Sequence, residues 1–322
     1  MIIDKVPSYY TEEQLRAYLK KASFPGFEEN SPLPEPTLDT LKKVVLQHLI
    51  TYTFENADMH YSQAHIVDVT PQGLYKRFVQ DAKGGSYCFG QNGILLGMLR
   101  ALGYPAYAAA ARANELHVSE PTKPAIWTPL NHAVLLVLPS DAPTQVVDTG
   151  FGGTGLIGPI ELKHGATLDG PAAEEHRILR GLPSNAASTD QVGWIVEWRG
   201  ADEPWRPLFQ FAETELYPND YEALSFAFCG RPSGCGPFWH EIMCMRPFVA
   251  EDGTIGRMTM YKGAVKRRLN GKSEVIEEFK TEGQRVAALK KYFDVLITDE
   301  DRAFMKGQPA ELPEEEVAEA WP

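Results

Sequence analysis

The chain has 322 residues, 43% hydrophobic, 11% aromatic and 23% charged, a folded composition long enough to bury more than one core. A formal net charge of -12 repels phosphate backbones and anionic lipid, which argues against nucleic acid and membrane as primary partners, and no apolar run approaches the roughly 20 residues that span a bilayer. The opening MIIDKVPSYY has no basic stretch followed by an apolar one, so a cytoplasmic protein is expected, and four cysteines (Cys88, Cys229, Cys235, Cys244) are too few and too unevenly spaced for a disulfide framework.

YTEEQLRAYLKKA sets Leu15 and Leu19 four apart and offers Thr11 with Glu13 as a capped helix start. PTLDTLKKVVLQHLITYTF repeats apolar residues at Leu38, Leu41, Val45, Leu46 and Leu49 behind Pro36 and Thr37, a second amphipathic helix, and DVTPQGLYKRFVQD predicts a short third. In KGGSYCFGQNGILLGMLRALG the residues Ile94, Leu95, Met98, Leu99 and Leu102 recur at helical spacing up to a stop at Gly103, which puts Cys88 at the helix start. Short β-prone runs then follow: AYAAAARA, NHAVLLVLP, QVVDTGF, GWIVEWRG, EIMCMRPFVA, RMTMYKGAVKRRL and SEVIEEF, before a closing helix in TEGQRVAALKKYFDVLI and an acidic tail. The expected class is α+β and multidomain: a helical bundle over 1–105, a β-rich domain over 106–225, an α/β lid over 226–306 and a tail over 307–322.

A nucleophilic cysteine must be a thiolate near neutral pH, and a helix N-terminus favours the anion through unpaired amides and aligned dipoles. Gly84 and Gly85 let a substrate carbonyl approach the backbone amides, while Tyr87 and Phe89 flank the thiol. Alone, Cys88 reads more readily as a buried small hydrophobe than as a nucleophile. A base decides between the two. NHAVLLVLPSDAPTQVVDTGFGG predicts a hairpin turning at PSDAPT, and symmetry about residue 140 sets His132 opposite Asp148. The carboxylate would then orient the imidazole towards Cys88, which supplies a nucleophile, a base and an orienting acid.

These segments resemble the arylamine N-acetyltransferases. PTLDTL and Phe54-Glu55-Asn56 are similar to that family's N-terminal helix and Phe-Glu-Asn element, GGSYCFGQN to its active-cysteine segment, NHAVLLV to its histidine strand and VVDTGFGG to its Asp-x-Gly-Phe-Gly turn. PIEL and EGQRVAALKKYFDVLI extend the likeness, which covers roughly residues 9–298. It implies a Cys88-His132-Asp148 triad of papain or transglutaminase type, a β-barrel as the middle domain, no metal and no permanently bound cofactor. It also implies acetyl- or malonyl-coenzyme A as acyl donor, and an arylamine or arylhydrazine that collects the acyl group from a Cys88 thioester. Phe54, Phe151 and Tyr87 are the implied acceptor-pocket residues, and Asn131, Gly150, Gly152 and Gly153 the implied coenzyme contacts.

The chain departs from the family around the cysteine. Lys83 stands where an Arg is usual, Ser86 is one extra residue, and Gly90 replaces a frequent Glu or Gln; Lys83 is the expected partner of Glu55, and Lys83 or Arg112 of a malonyl carboxylate. Cys229, Cys235, His240 and Cys244 lack a zinc-knuckle spacing and read as ordinary positions. KGAVKRRLNGK reads as a solvated hairpin rather than a phosphate cradle. The competing functions are a cysteine hydrolase on the same triad, which would release acyl groups to water, and a catalytically silent binding protein.

Overall fold

Local capping chemistry sets where the helices begin in the computed structural model, which describes residues 2–117, 119–120, 123–230 and 236–314. α1 (Glu12–Lys21) opens on a capping box between Thr11 and Gln14, the residue at the reach a box requires, rather than Glu13. α2 (Leu38–Thr51) is capped by Thr37. A two-residue strand β1 (Phe54–Glu55) and the turn of helix α3 (Asp58–Tyr61) follow. The expected third helix is α4 (Pro71–Tyr75), and it continues into a π-helical turn over Lys76–Gln80. α5 (Cys88–Ala101) starts at the cysteine itself. Its residues Ile94, Leu95, Met98 and Leu99 are fully buried, each contributing roughly 1.5–3 kcal/mol relative to exposure.

The middle of the chain forms an eight-stranded sheet: β2 (Ala106–Ala113), β3 (His132–Val137), β4 (Gln145–Val147), β5 (Ile160–Glu161), β6 (Thr167–Asp169), β7 (Glu175–Gly181), β8 (Gly193–Arg199) and β9 (Arg206–Leu216). The order is β5-β4-β3-β2-β9-β8-β7-β6. Backbone bonds of Gly165 and Ala166 to Ile178 extend the β6–β7 ladder back into the short β5–β6 connection, which joins the two edge strands of a nearly closed barrel. Ala109, Ala111, Val134, Leu136, Val196 and Phe209 fill its interior.

A further helix, α6 (Pro218–Cys229), has no counterpart among the sequence-predicted elements. Its Phe228 stacks on Tyr87 and its Tyr221 meets Phe89 edge-on, so it packs against the start of α5. Then come β10 (Cys244–Val249), β11 (Ile255–Tyr261), β12 (Ala264–Leu269), β13 (Lys272–Glu278), α7 (Glu282–Phe293) and α8 (Asp299–Ala303). The sheet order is β1-β10-β11-β12-β13, so a strand from residue 54 forms the edge of a sheet otherwise built after residue 243. The basic run lies on the β12–β13 hairpin, where Arg268 reaches Glu174 and Arg267 reaches Glu274. No helix among the described residues is long and apolar enough to cross a membrane.

Candidate active site

Cys88, His132 and Asp148 come from three elements that meet at the junction of the helical region and the barrel. Cys88 is the first residue of α5, where the initial amides have no intrahelical acceptor. Its Sγ lies 3.4 Å from the Asn131 carbonyl, and it stands close enough to His132 to raise the proton affinity of that ring. His132 opens β3, and its Nε2 lies 2.8 Å from Asp148 Oδ2, which leaves Nδ1 for the thiol. All three residues are buried. Burial lowers the affinity of His132 for a proton, but the Asp148 carboxylate and the cysteine outweigh it and push the ring up to about 10.

The hairpin register differs from the expected one. Leu135 pairs with Val147 and Val137 with Gln145, so the ladder continued by one step sets Val134, not His132, across from Asp148. Its centre is residue 141 rather than 140. A slip of two residues along one strand preserves the face, because side chains alternate with period two, so His132 and Asp148 meet diagonally instead of directly.

Asn92, which sequence reasoning missed, ties the site together. One helical turn beyond Cys88, its Nδ2 donates to Asp148 Oδ1 at 3.0 Å and to the Ala133 carbonyl at 2.7 Å, while its Oδ1 accepts from the Thr149 amide at 3.0 Å. The Gly150 amide completes the Asp148 shell at 2.8 Å. The i to i+4 interval from Cys88 was the available signal, since it places Asn92 on the cysteine's face of α5.

The loop before Cys88 is held by a residue that the sequence reading did not select. Arg77, carried on the π-helical turn, donates to Glu55 Oε1 at 2.7 Å, to Asp58 Oδ1 at 2.6 Å and to the Gly85 carbonyl at 2.6 Å. Lys83 does not pair with Glu55 as expected; it reaches Asp301 on α8 at 3.2 Å. The π turn adds a residue to the helical register and turns Arg77 inward, where its fork serves three acceptors. The other two departures belong together: a Cβ at Gly90 would lie 2.2 Å from Ser86 Oγ, so the extra Ser86 occupies space that a side chain at 90 would need.

Phe54-Glu55-Asn56 joins all three parts of the molecule. Phe54 forms a parallel bridge with Ser86 and pairs with Met245; Glu55 receives Arg77; Asn56 clamps the carbonyls of Phe238 and Glu241 at 2.9 Å each and accepts from the Met243 amide. Of the aromatic residues expected at an acceptor pocket, Phe151 stands edge-on to His132 at 5.4 Å between ring centres. The Phe54 ring lies beside Gly152 and meets Phe238 edge-on. Tyr87 is instead buried against α6, its hydroxyl 2.6 Å from Ser225 Oγ.

The glycines differ in what they need. A Cβ on Gly150 would lie 2.5 Å from the Cys88 Cα, Gly152 sits at φ +90, and Gly153 faces open space. Gly150→Ala is therefore expected to push the cysteine backbone away and cost roughly 1–3 kcal/mol, read as a lowered melting temperature, whereas Gly153→Ala leaves it unchanged. Asn131 turns its side chain to Thr128, 2.6 Å away, and offers only its carbonyl to the thiol. Arg112 lies on the opposite face of β2 from Ala111, the partner of His132, and donates to the Thr128 carbonyl. Cys235 lies outside the described residues, and among those described no group of three His, Cys, Asp or Glu side chains is arranged to hold a metal.

A buried thiol at a helix start, an imidazole and a carboxylate thus lie together where a helical region joins a nearly closed barrel. The N-acetyltransferase family model matches residues 37–302. The chain is 30% identical over 319 residues to the N-malonyltransferase FDB2 of Gibberella moniliformis, covering 91% of each, and 29% identical over 189 residues to the arylamine N-acetyltransferase of Escherichia coli, covering 59% of this chain and 60% of that one. The structure of Mycobacterium marinum arylamine N-acetyltransferase in complex with CoA superposes with a TM-score of 0.72 at 24% identity, covering 93% and 99% of the two chains. The chain belongs to the arylamine N-acetyltransferase family of CoA-dependent N-acyltransferases.

Proposed function

We propose that Cys88 carries the acyl group as a thioester, with His132 as its base and Asp148 as the orienting carboxylate. The Cys88 Sγ attacks the acyl-CoA carbonyl, forms the new S–C bond and expels the CoA thiol, which takes the proton held by His132. An aromatic amine or hydrazine then attacks the acyl-cysteine; its N–H proton passes to His132, the C–S bond breaks, and Cys88 leaves as the thiolate. The developing oxyanion falls to the free amides at the start of α5. The observation that carries this reading is the 2.8 Å contact of His132 with Asp148 beside Cys88, with the carboxylate held by Asn92 and Gly150.

Two features bear on the donor. One relative that matches over 91% of both chains is an N-malonyltransferase, which favours malonyl-CoA. Neither Lys83 nor Arg112 supports it, since each is engaged elsewhere, and Arg257, the cation lining a small cavity beside Asp148, Thr149 and Phe151, is itself paired with the buried Glu174. We assign the protein to the cytoplasm, a placement that its net charge and buried free thiols favour. Incubation with an equimolar mixture of acetyl- and malonyl-CoA, followed by peptide mass mapping, is the test. An adduct on Cys88 that an arylamine discharges is expected, and its mass names the donor. No adduct with either donor sinks the acyl-transfer reading, and discharge to water alone replaces it with hydrolysis.

A further inference from the structure

A second histidine stands against the ring that faces the site. His117, in the segment after β2, packs on Phe151 with 5.3 Å between ring centres, and Phe151 in turn meets His132 at 5.4 Å. His117 is held at one ring nitrogen. Its Nδ1 lies 2.6 Å from the Asn114 carbonyl, which only accepts, so Nδ1 carries the hydrogen. Asn114 is itself anchored, its amide group bonding the Pro207 carbonyl and the amides of Leu116 and Ile126. Burial lowers the proton affinity of the His117 ring, which is neutral at pH 7. Its Nε2 therefore presents a lone pair, and no described residue donates to it.

Resting on the acyl-transfer reading above, we propose that His117 is a specificity-determining residue of the acceptor pocket. Its Nε2 accepts a hydrogen bond from a hydroxyl or amino substituent on the ring of an arylamine lying along Phe151. The arrangement separates two tasks. His132 serves the attacking nitrogen beside Cys88, while His117 contacts Phe151 without touching the His132 ring and reads the substituent end of the acceptor. A fixed polar group discriminates between an acceptor that satisfies it and one that leaves it unpaired far better than an apolar wall does.

The test compares p-aminophenol with p-anisidine, whose methoxy group matches the electronic effect of the hydroxyl but donates no hydrogen bond. The wild-type kcat/KM is expected to favour p-aminophenol by roughly tenfold, the size of one net hydrogen bond. His117→Phe should bring the ratio close to one, chiefly through KM for p-aminophenol, and His117→Gln, which restores an acceptor oxygen, should recover part of the preference. Formation of the Cys88 thioester from acyl-CoA should match the wild type in both variants. A ratio unchanged by His117→Phe, or absent in the wild type, overturns this role. A wild-type protein that forms no thioester overturns the acyl-transfer reading beneath it, so the two failures are distinct.

Discussion

Asp148→Asn is expected to lower the rate of Cys88 acylation by roughly 10³–10⁴-fold while the protein stays folded. Asp148 Oδ1 accepts from Asn92 and Gly150, and Oδ2 faces His132 Nε2. An asparagine keeps the first pair with its carbonyl oxygen and turns its NH₂ to His132. Nε2 must then accept, the imidazole proton moves to Nδ1, and the lone pair that would take the thiol proton is gone. Single-turnover acylation followed by mass spectrometry measures the loss, and far-UV dichroism checks the fold.

The same substitution changes the pH dependence of stability. His132 in the folded protein holds its proton up to about 10, against an ordinary value of 6.5. A group raised on folding stabilises the native state fully below its unfolded value and loses that contribution as pH rises through the folded one. The window therefore runs from about 6.5 to about 10. Urea midpoints should fall across this window in the wild type. In Asp148→Asn the fall should shrink, because the carboxylate that holds the imidazolium is absent.

Arg77→Ala is expected to destabilise the protein by about 3–5 kcal/mol, because it strands the buried Glu55 without its cation and releases the Gly85 carbonyl. Burial already raises the Glu55 carboxyl against the pull of Arg77, so removing Arg77 drives it towards the neutral form. Lys83 cannot substitute, being drawn to Asp301. Arg77→Lys retains the charge but not the three-way fork and should recover only part of the loss. Thermal melts measure the stability, and the rate of Cys88 alkylation by iodoacetamide reports the loop: slower alkylation is expected in Arg77→Ala at temperatures where it remains folded. Unchanged melting would show that the Glu55 contact carries little.

Much of this arrangement was legible before any tertiary contact was known. The periodic apolar residues of α2 and α5, the helix start at Thr37, the closing helix α7 and the β-prone runs that form β3 and β8 are local preferences that tertiary packing reinforced. The hairpin brought His132 to Asp148 even though its register was off by two, because period-two alternation tolerates an even slip. Placing Cys88 at a helix start needed only the run from Ile94 to Leu102 and the glycines before it.

The rest depended on contacts between distant segments, which no local pattern encodes. The pairing of β1 with β10 joins residues 54–55 to 244–245 across the chain, and that pairing places Phe54 beside Gly152. A π-helical turn is invisible in hydrophobic periodicity, so nothing singles out Arg77, and Lys83, nearer to the cysteine, reads as the partner of Glu55. Ser86 and Gly90 read as two separate departures, yet they fill one volume. By itself the sequence placed Cys88 at a helix start and set His132 and Asp148 on one face of a hairpin, since these follow from helix signals and the period of a strand. The tertiary structure alone decided what holds them, because hydrogen bonds such as those of Asn92 and Arg77 require a packed geometry that brings donor and acceptor within 3 Å.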